Sequence, residues 1–353
     1  MNTLSILTYI HNRPFLLSYF EKSSLHVNEI GDGNLNYIFR ISDAVGKSLI
    51  LKYAPPYLRL LGEDFKLPQH RICVEMHTLS YFQEIAPSFI PKLYHCDEEN
   101  FCFMMEDLKG YALLQQVSLL GHQNPFMYER LGQFIAALLH HTPSLKQEGY
   151  YENATLKNIS LDYIFRFPHC ENHQALIIPS FFKPASKSKQ FTQNIAWLTA
   201  CFENDKSHLV HGDLHTGSIM VKDEHVKIID AEFSFFGPIG FDIGVLLAHI
   251  LFNEIYTSIT YNTICYPNHI QALFKGIGTL RQETLAHSVG FCGAELFRRL
   301  VVPAKSKALE ALEETNEKAK AYATAEAIAI DLVENCLHVK HYEDIITLVE
   351  KHL

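Results

Sequence analysis

Asp213 stands in the run Leu209-Val210-His211-Gly212-Asp213-Leu214-His215-Thr216-Gly217-Ser218-Ile219-Met220, and two further carboxylates close the stretch Val226-Lys227-Ile228-Ile229-Asp230-Ala231-Glu232. An apolar run ends, a polar loop carries an aspartate, and a short strand returns through a turn into a second strand from Val226 to Ile229. Asp213 and Asp230 lie seventeen positions apart with this hairpin-like return between them, so two strand ends can bring them to one spot. One carboxylate aligning a hydroxyl, with another holding Mg²⁺ against phosphates, is what phosphoryl transfer from a metal–nucleotide complex requires. A lone His-Gly-Asp would as readily be a turn aspartate bonded to its own backbone. The length of the run and the second acidic pair favour the catalytic reading.

Other residues fit the same chemistry. Lys52 ends the apolar strand Leu49-Ile50-Leu51, where an unpaired ammonium is costly. It is either an edge lysine facing water or a phosphate-binding lysine held by a carboxylate on the next helix, with Glu75 the partner. That helix begins near Pro68 and spaces Ile72, Met76, Leu79 and Phe82 along one stripe, which Glu75 does not share. Gly31-Asp32-Gly33-Asn34 between two strands is a hairpin turn or a flap whose bare backbone approaches phosphates, and Asn36 falls where a third glycine would stand. Glu106-Asp107-Leu108 leaves a strand as a strand-to-helix loop or as the hinge against which adenine lies. Asp242 falls in the first turn of an apolar helix, where it caps free N–H groups or reaches the loop around Asp213. The neighbours Arg298 and Arg299 read as a solvated face in preference to a clamp on phosphate or sugar hydroxyls. His211 and His215 are four apart, but the Gly-Asp between them and the absence of a third ligand at motif spacing argue against zinc, leaving His211 to brace the loop.

The elements needed to position these groups follow the chain. Helical segments over 2–21, broken at Asn12-Arg13-Pro14, precede strands Leu25–Ile30, Tyr37–Ile41, Ser48–Tyr53, Pro91–His95 and Phe101–Met105. Helices are expected over 122–141, 160–182 with interruptions, 188–206, 241–257, 281–300 and 305–337. The change from strands to helices places a boundary at residue 108, giving lobes 1–108 and 109–353. With 353 residues, 48% hydrophobic and 20% charged, the chain can build two lobes with a real core. A net charge of −9 argues against a nucleic-acid partner. Eight scattered cysteines without a C-x-x-C pair indicate a reducing compartment. No signal peptide and no run of about 18 apolar residues is seen, so the reading is cytoplasmic, with no membrane.

Glu29 to Asn36, the Leu209–Met220 loop, Asp230-Ala231-Glu232, Phe235-Phe236-Gly237-Pro238-Ile239-Gly240-Phe241-Asp242 and Phe291–Arg299 together resemble the methylthioribose kinase family, within the small-molecule kinases that include choline and aminoglycoside kinases. The resemblance runs from residue 29 to 299. It implies an α+β, bilobal protein-kinase-like fold, with an N-terminal antiparallel β-sheet lobe bearing a helix and a larger, mostly helical C-terminal lobe. It implies ATP and Mg²⁺ as cofactors, S-methyl-5-thioribose as substrate, a homodimer, and a place in methionine salvage. By the same resemblance Asp213 orients the acceptor hydroxyl, Asp230 and Glu232 bind the metal, and Lys52, Asn36, Gly31, Gly33 and Asn34 face the phosphates. Glu106, Asp107 and Leu108 contact adenine, Glu75 and Ala231 complete the nucleotide site, and Arg298 and Arg299 reach substrate. Choline and aminoglycoside kinases carry Asn five residues after the catalytic Asp; Ser218 stands there, as in the methylthioribose kinases. Two departures from the family are Ala231 in place of proline and Phe65 in place of a lid tryptophan. Phosphorylation of another alcohol (an aminoglycoside, choline, homoserine or another sugar) and a non-catalytic nucleotide-binding module are the alternatives.

Overall fold

The computed structural model describes residues 3–21, 24–31, 35–59, 62–122, 124–144 and 149–353. Two short helices, α1 (Thr3–His11) and α2 (Pro14–Leu17), precede strands β1 (Leu25–Glu29), β2 (Tyr37–Asp43) and β3 (Ser48–Tyr53). After α3 (Arg71–Ile85), strands β4 (Leu93–Asp97) and β5 (Cys102–Glu106) complete an antiparallel sheet of order β1-β2-β3-β5-β4. Strand β3 is central and covered on both faces. Alternation sends Leu49 and Leu51 to one face with Phe39, Ile41 and Met104, beneath Ile6, Ile10 and Leu16. Ile50 points to the other face with Phe103 and Met105, against Ile72, Met76, Leu79 and Phe82 of α3. Lys52 shares that second face by the same period and is 2% exposed, so the edge-strand alternative is excluded.

The rest of the chain is mostly helical. Strand β6 (Ala112–Leu113) leads to α4 (Leu114–Leu119), α5 (Pro125–His140), α6 (Ala154–Leu161) and α7 (Lys189–Asn204). Four short strands follow, β7 (His208–Val210), β8 (Ile219–Lys222), β9 (His225–Ile228) and β10 (Phe235–Gly237), in two small antiparallel sheets β10-β7 and β6-β8-β9. Helices α8 (Ile239–Tyr261), α9 (Tyr266–Ile277), α10 (Gln282–Val301), α11 (Lys307–Glu310), α12 (Thr315–Asn335) and α13 (Tyr342–Glu350) end the chain. Helix α8 alone among the described residues is long and apolar enough to cross a membrane, and 94% of its apolar window is buried inside the fold. It is apolar on every side because α4, α5, α9, α10 and α12 surround it.

The antiparallel sheet and helical remainder are those the sequence pattern implied, with local corrections. The helix expected over 160–182 breaks into irregular turns through His169, and 170–188 has no helix, since Pro168, Pro179 and Pro184 interrupt it. The segment 305–337 divides into α11 and α12, and α3 starts at Arg71, three residues beyond Pro68. Helices α9 and α13 were not anticipated. All eight cysteines are free thiols.

Helices α5 and α9 pack backbone to backbone. A Cβ on Gly132 would lie 2.1 Å from the Leu273 carbonyl oxygen, and one on Gly276 would lie 2.1 Å from that of Glu129. Gly132→Ala is therefore expected to cost about 1–3 kcal/mol through forced separation of the pair. Urea unfolding reads it as a lower midpoint at unchanged slope; an unaltered midpoint would mean that the helices part freely.

Candidate active site

The loop carrying Asp213 leaves β7, and the loop carrying Asp230 leaves β9. Pairing of β7 with β10 and of β8 with β9 brings the two loops side by side, where the Ile229 N–H donates to the Ser218 carbonyl at 3.0 Å. Asp242, in the first turn of α8, accepts the His211 N–H at 2.6 Å and the Gly212 N–H at 2.9 Å. Of the two roles open to this carboxylate, it takes the one that reaches the loop. Burial raises its pKa to about 7, against those two N–H donors, and repulsion from Asp213 adds to the rise. Gly212 has φ +83°, and a Cβ there would lie 2.1 Å from the Phe233 carbonyl oxygen, so only glycine fits.

His211 is fully buried, and burial lowers its pKa to about 4, leaving a neutral ring. Its Nε2–H donates to the Ile229 carbonyl at 2.9 Å while Nδ1 accepts the Asp213 N–H at 3.3 Å, which ties the two acid-bearing loops together. Both nitrogens are thereby used and neither is left for a metal. Ser218 is 2% exposed, and its hydroxyl accepts the His215 N–H at 3.0 Å while facing the carbonyls of Asp213 (3.0 Å) and His215 (2.8 Å). This side chain closes its own loop.

Lys52 Nζ donates to Glu75 Oε1 at 2.7 Å and to Asp230 Oδ1 at 2.6 Å. Burial would push the ammonium down, but Asp230, Glu75 and Glu232 hold its pKa well above the ordinary lysine value. Asp230 adopts the left-handed region, φ +64°, which turns the chain so that Glu232 comes in beside it. Asn36 Nδ2 donates to Glu232 Oε2, and Asn36 Oδ1 accepts from Arg71 Nε at 3.0 Å. The remaining Arg71 donors bond the carbonyls of Leu35, Pro55, Leu67 and Pro68. Among the described residues, three carboxylates here (Glu75, Asp230 and Glu232) face two cations, Lys52 and Arg71. Burial raises the pKa of both Glu75 and Glu232, opposed by Lys52, with repulsion from the neighbouring carboxylates adding to the rise. Among the described residues Glu75 Oε2 has no hydrogen-bond partner, and no hydrogen bond uses Asp230 Oδ2 or Glu232 Oε1. Two carboxylates with spare oxygens and a negative surplus fit Mg²⁺, which takes one or two protein carboxylates and completes its shell with phosphates and water.

Asp213 Oδ2 lies 3.4 Å from His215 Nε2. Burial would raise this carboxyl, yet His215, Arg299 and Arg298 together hold it well below the carboxylate range, so it is ionised. The arginines are not on a solvated face, which corrects that expectation. Arg298 Nε and Arg299 Nε both donate to the fully buried Glu295 at 2.6 Å, and each arginine side chain is about a tenth exposed. His249 Nε2 lies 3.6 Å from the same Glu295, and its ring stacks on His215 at 4.9 Å.

Gly31 has φ +74°, while Gly33 and Asn34 lie outside the described residues. Glu75 is 1% exposed on a helix buried nearly all round in its first half, so the face away from the stripe is inward too. Asp107 does not point its carboxylate into the cleft: it takes Arg40 Nε (2.7 Å) and Nη2 (3.0 Å) and the Ser48 hydroxyl (2.7 Å). Glu106 Oε2 accepts the Lys92 N–H at 3.1 Å, and Leu108 is buried. Ala231 is buried and opens the turn to Glu232. Arg71 and Asn153 escaped the sequence reading. Asn153 Nδ2 donates to the Glu232 carbonyl at 2.7 Å and to that of Ser234 at 3.1 Å, fixing the acidic turn from α6. The one sequence signal for Arg71 is its place four residues before Glu75 on α3.

Residues 26–258 match the phosphotransferase enzyme family. A methylthioribose kinase of Bacillus thuringiensis subsp. konkukian is 31% identical over 350 residues, covering 88% of this chain and 87% of its own; one of Bacillus cereus is 29% identical over 354 residues, covering 90% and 89%. Among solved structures, an amicoumacin kinase in complex with AMP-PNP, Ca²⁺ and Ami superposes with a TM-score of 0.53 at 15% identity, covering 93% of this chain and 96% of its own. A spectinomycin phosphotransferase in complex with ADP and spectinomycin gives 0.51 at 12% identity, covering 96% and 99%. These two share the fold.

Glu295→Gln strands two buried guanidinium groups and is expected to cost about 3–5 kcal/mol. The Glu295 pKa lies well below its ordinary value: burial alone would raise it, and Arg298 and Arg299 overcome that. The stabilisation is therefore complete above the usual carboxylate range and lost as pH falls through the depressed value. Urea titrations should show the penalty largest at neutral pH and shrinking in acid. A penalty independent of pH contradicts the ion-pair account.

Proposed function

Since the chain belongs to the phosphotransferase enzyme family, in the branch of the methylthioribose kinases, and is an ATP-dependent small-molecule kinase, we propose that it phosphorylates the 1-hydroxyl of S-methyl-5-thioribose. The products are S-methyl-5-thioribose 1-phosphate and ADP, a step of methionine salvage. The observation that carries this reading is the pair Arg298 and Arg299, which act on Asp213 while paired to Glu295, so that the two guanidinium charges are matched by two carboxylates. With the carboxylates already matched by the two guanidinium groups, the acceptor need not bring a cation of its own, and planar guanidinium forks suit the hydroxyls of a neutral sugar. A 31% identical methylthioribose kinase supports the same substrate.

In this reading Lys52 and Asn36, with the Gly31–Asn34 flap, bind the phosphates, and Glu75 keeps the Lys52 ammonium in place. The backbone of Glu106 to Leu108 lies against adenine. Asp230 and Glu232 would hold Mg²⁺, which when bound offsets the charge of the triphosphate. Asp213 is ionised and a weak base, so it aligns the acceptor hydroxyl for in-line attack and takes the proton late, as a loose transition state permits. The lobes meet at residues 108–109. The enzyme works in the cytoplasm as a homodimer.

Asp213→Asn should lower turnover about 10²- to 10⁴-fold with nucleotide affinity within a few-fold of wild type. Collapse of both would make Asp213 a metal ligand instead. Coupled ADP detection on methylthioribose, choline, homoserine, an aminoglycoside and other sugars tests the acceptor. Preference for a cationic alcohol overturns the assignment, and ATP-dependent thermal stabilisation without turnover on any alcohol indicates a non-catalytic module.

A further inference from the structure

His211 and His215 differ in what their nitrogens touch. His215 begins the short 3₁₀ turn Thr216–Ser218, and its Nδ1 accepts the Gly217 N–H at 2.8 Å. A nitrogen that accepts carries the lone pair, so the neutral ring bears its hydrogen on Nε2. Gly217 makes this contact possible, because a Cβ there would lie 2.6 Å from the ring's Cε1 and 2.8 Å from Nδ1. Nε2 lies 3.4 Å from Asp213 Oδ2. One ring face lies on His249 at an interplanar angle of 20°, and His249 is kept neutral by burial and seated at Glu295. Tautomer, tilt and direction of the ring are thus fixed by three separate contacts.

We infer that His215 is a positioning residue for phosphoryl transfer: its Nε2–H holds Oδ2 of Asp213, leaving Oδ1 to face the acceptor hydroxyl. The inference rests on the reading of Asp213 as the group that aligns that hydroxyl. A carboxylate free to rotate presents either oxygen at several angles, whereas one held at Oδ2 presents a single lone-pair direction at Oδ1. The 3.4 Å separation leaves room to tighten when substrate binds, as catalytic hydrogen bonds do.

Two substitutions separate the roles of the ring nitrogens. His215→Asn keeps an acceptor near the Nδ1 position, and hence the bond to the Gly217 N–H, but withdraws the donor from Asp213. His215→Gln places an amide near the Nε2 position and keeps that donor. His215→Asn should lose about tenfold to a hundredfold in kcat, the effect of one hydrogen bond to a charged group. Its KM for ATP and its melting temperature should stay near wild type. His215→Gln should recover most of the lost kcat despite a lower melting temperature. Wild-type kcat in His215→Asn, or no recovery in His215→Gln while it still melts as a folded protein, overturns the inference. Nitrogen NMR of the wild-type ring gives a test that needs no acceptor: the Nε2–H tautomer is expected, and the Nδ1–H tautomer overturns the inference even if the sugar assignment holds. Failure of every acceptor with the Nε2–H tautomer present would instead count against the substrate reading alone.

Discussion

A single dry ammonium joins the two halves of this molecule. Lys52 comes from the centre of the sheet, Glu75 from the helix that covers it, and Asp230 from the hairpin of the helical half. Burying a lysine costs several kcal/mol unless its charge is matched, so the sheet, α3 and the β9 turn must come together for any one of them to tolerate it. The same contact sets the charge of the cleft. With Glu232 added, the anions outnumber Lys52 and Arg71, and an incoming cation finds a surplus already assembled.

The acidic loops are held from behind by buried side chains and backbone. Asp242 grips two N–H groups, His211 spans from one loop to the other, Ser218 spends its hydroxyl on its own turn, and Asn153 ties the Glu232 turn to α6. Each removes a degree of freedom from a carboxylate without competing for its outward oxygen. Precision at the site is thus supplied by α6 and α8, whose own places are set by close packing.

The legible parts of the fold and site were those with a local cost. A lysine inside Leu49-Ile50-Leu51 demanded a carboxylate, and Glu75 was the one within helical reach. The return from Asp213 to Asp230 could be read from apolar runs and turns alone. Arg71 was not legible, because its acceptors are mostly backbone carbonyls, which no side-chain pattern announces. Arg298 and Arg299 were misread for a related reason: adjacent arginines look the same whether they meet water or a buried glutamate one turn earlier. Helix α9 was missed although its period is clear, since Pro267 at its first turn and the glycine at 276 resemble loop signals until the crossing with α5 gives that glycine a purpose.

Arg71 has a consequence for the insertion between β3 and α3. Its guanidinium bonds the chain where that insertion begins, at Pro55, and where it ends, at Leu67 and Pro68, and also holds Leu35 and the Asn36 amide. Phe65, half exposed, stands on the far side of this tether. The excursion is therefore a loop with a clamped waist, and the clamp is the hand that turns Asn36 towards Glu232. The same guanidinium fixes both ends of the excursion and the Asn36 amide, so neither can shift without disturbing the other.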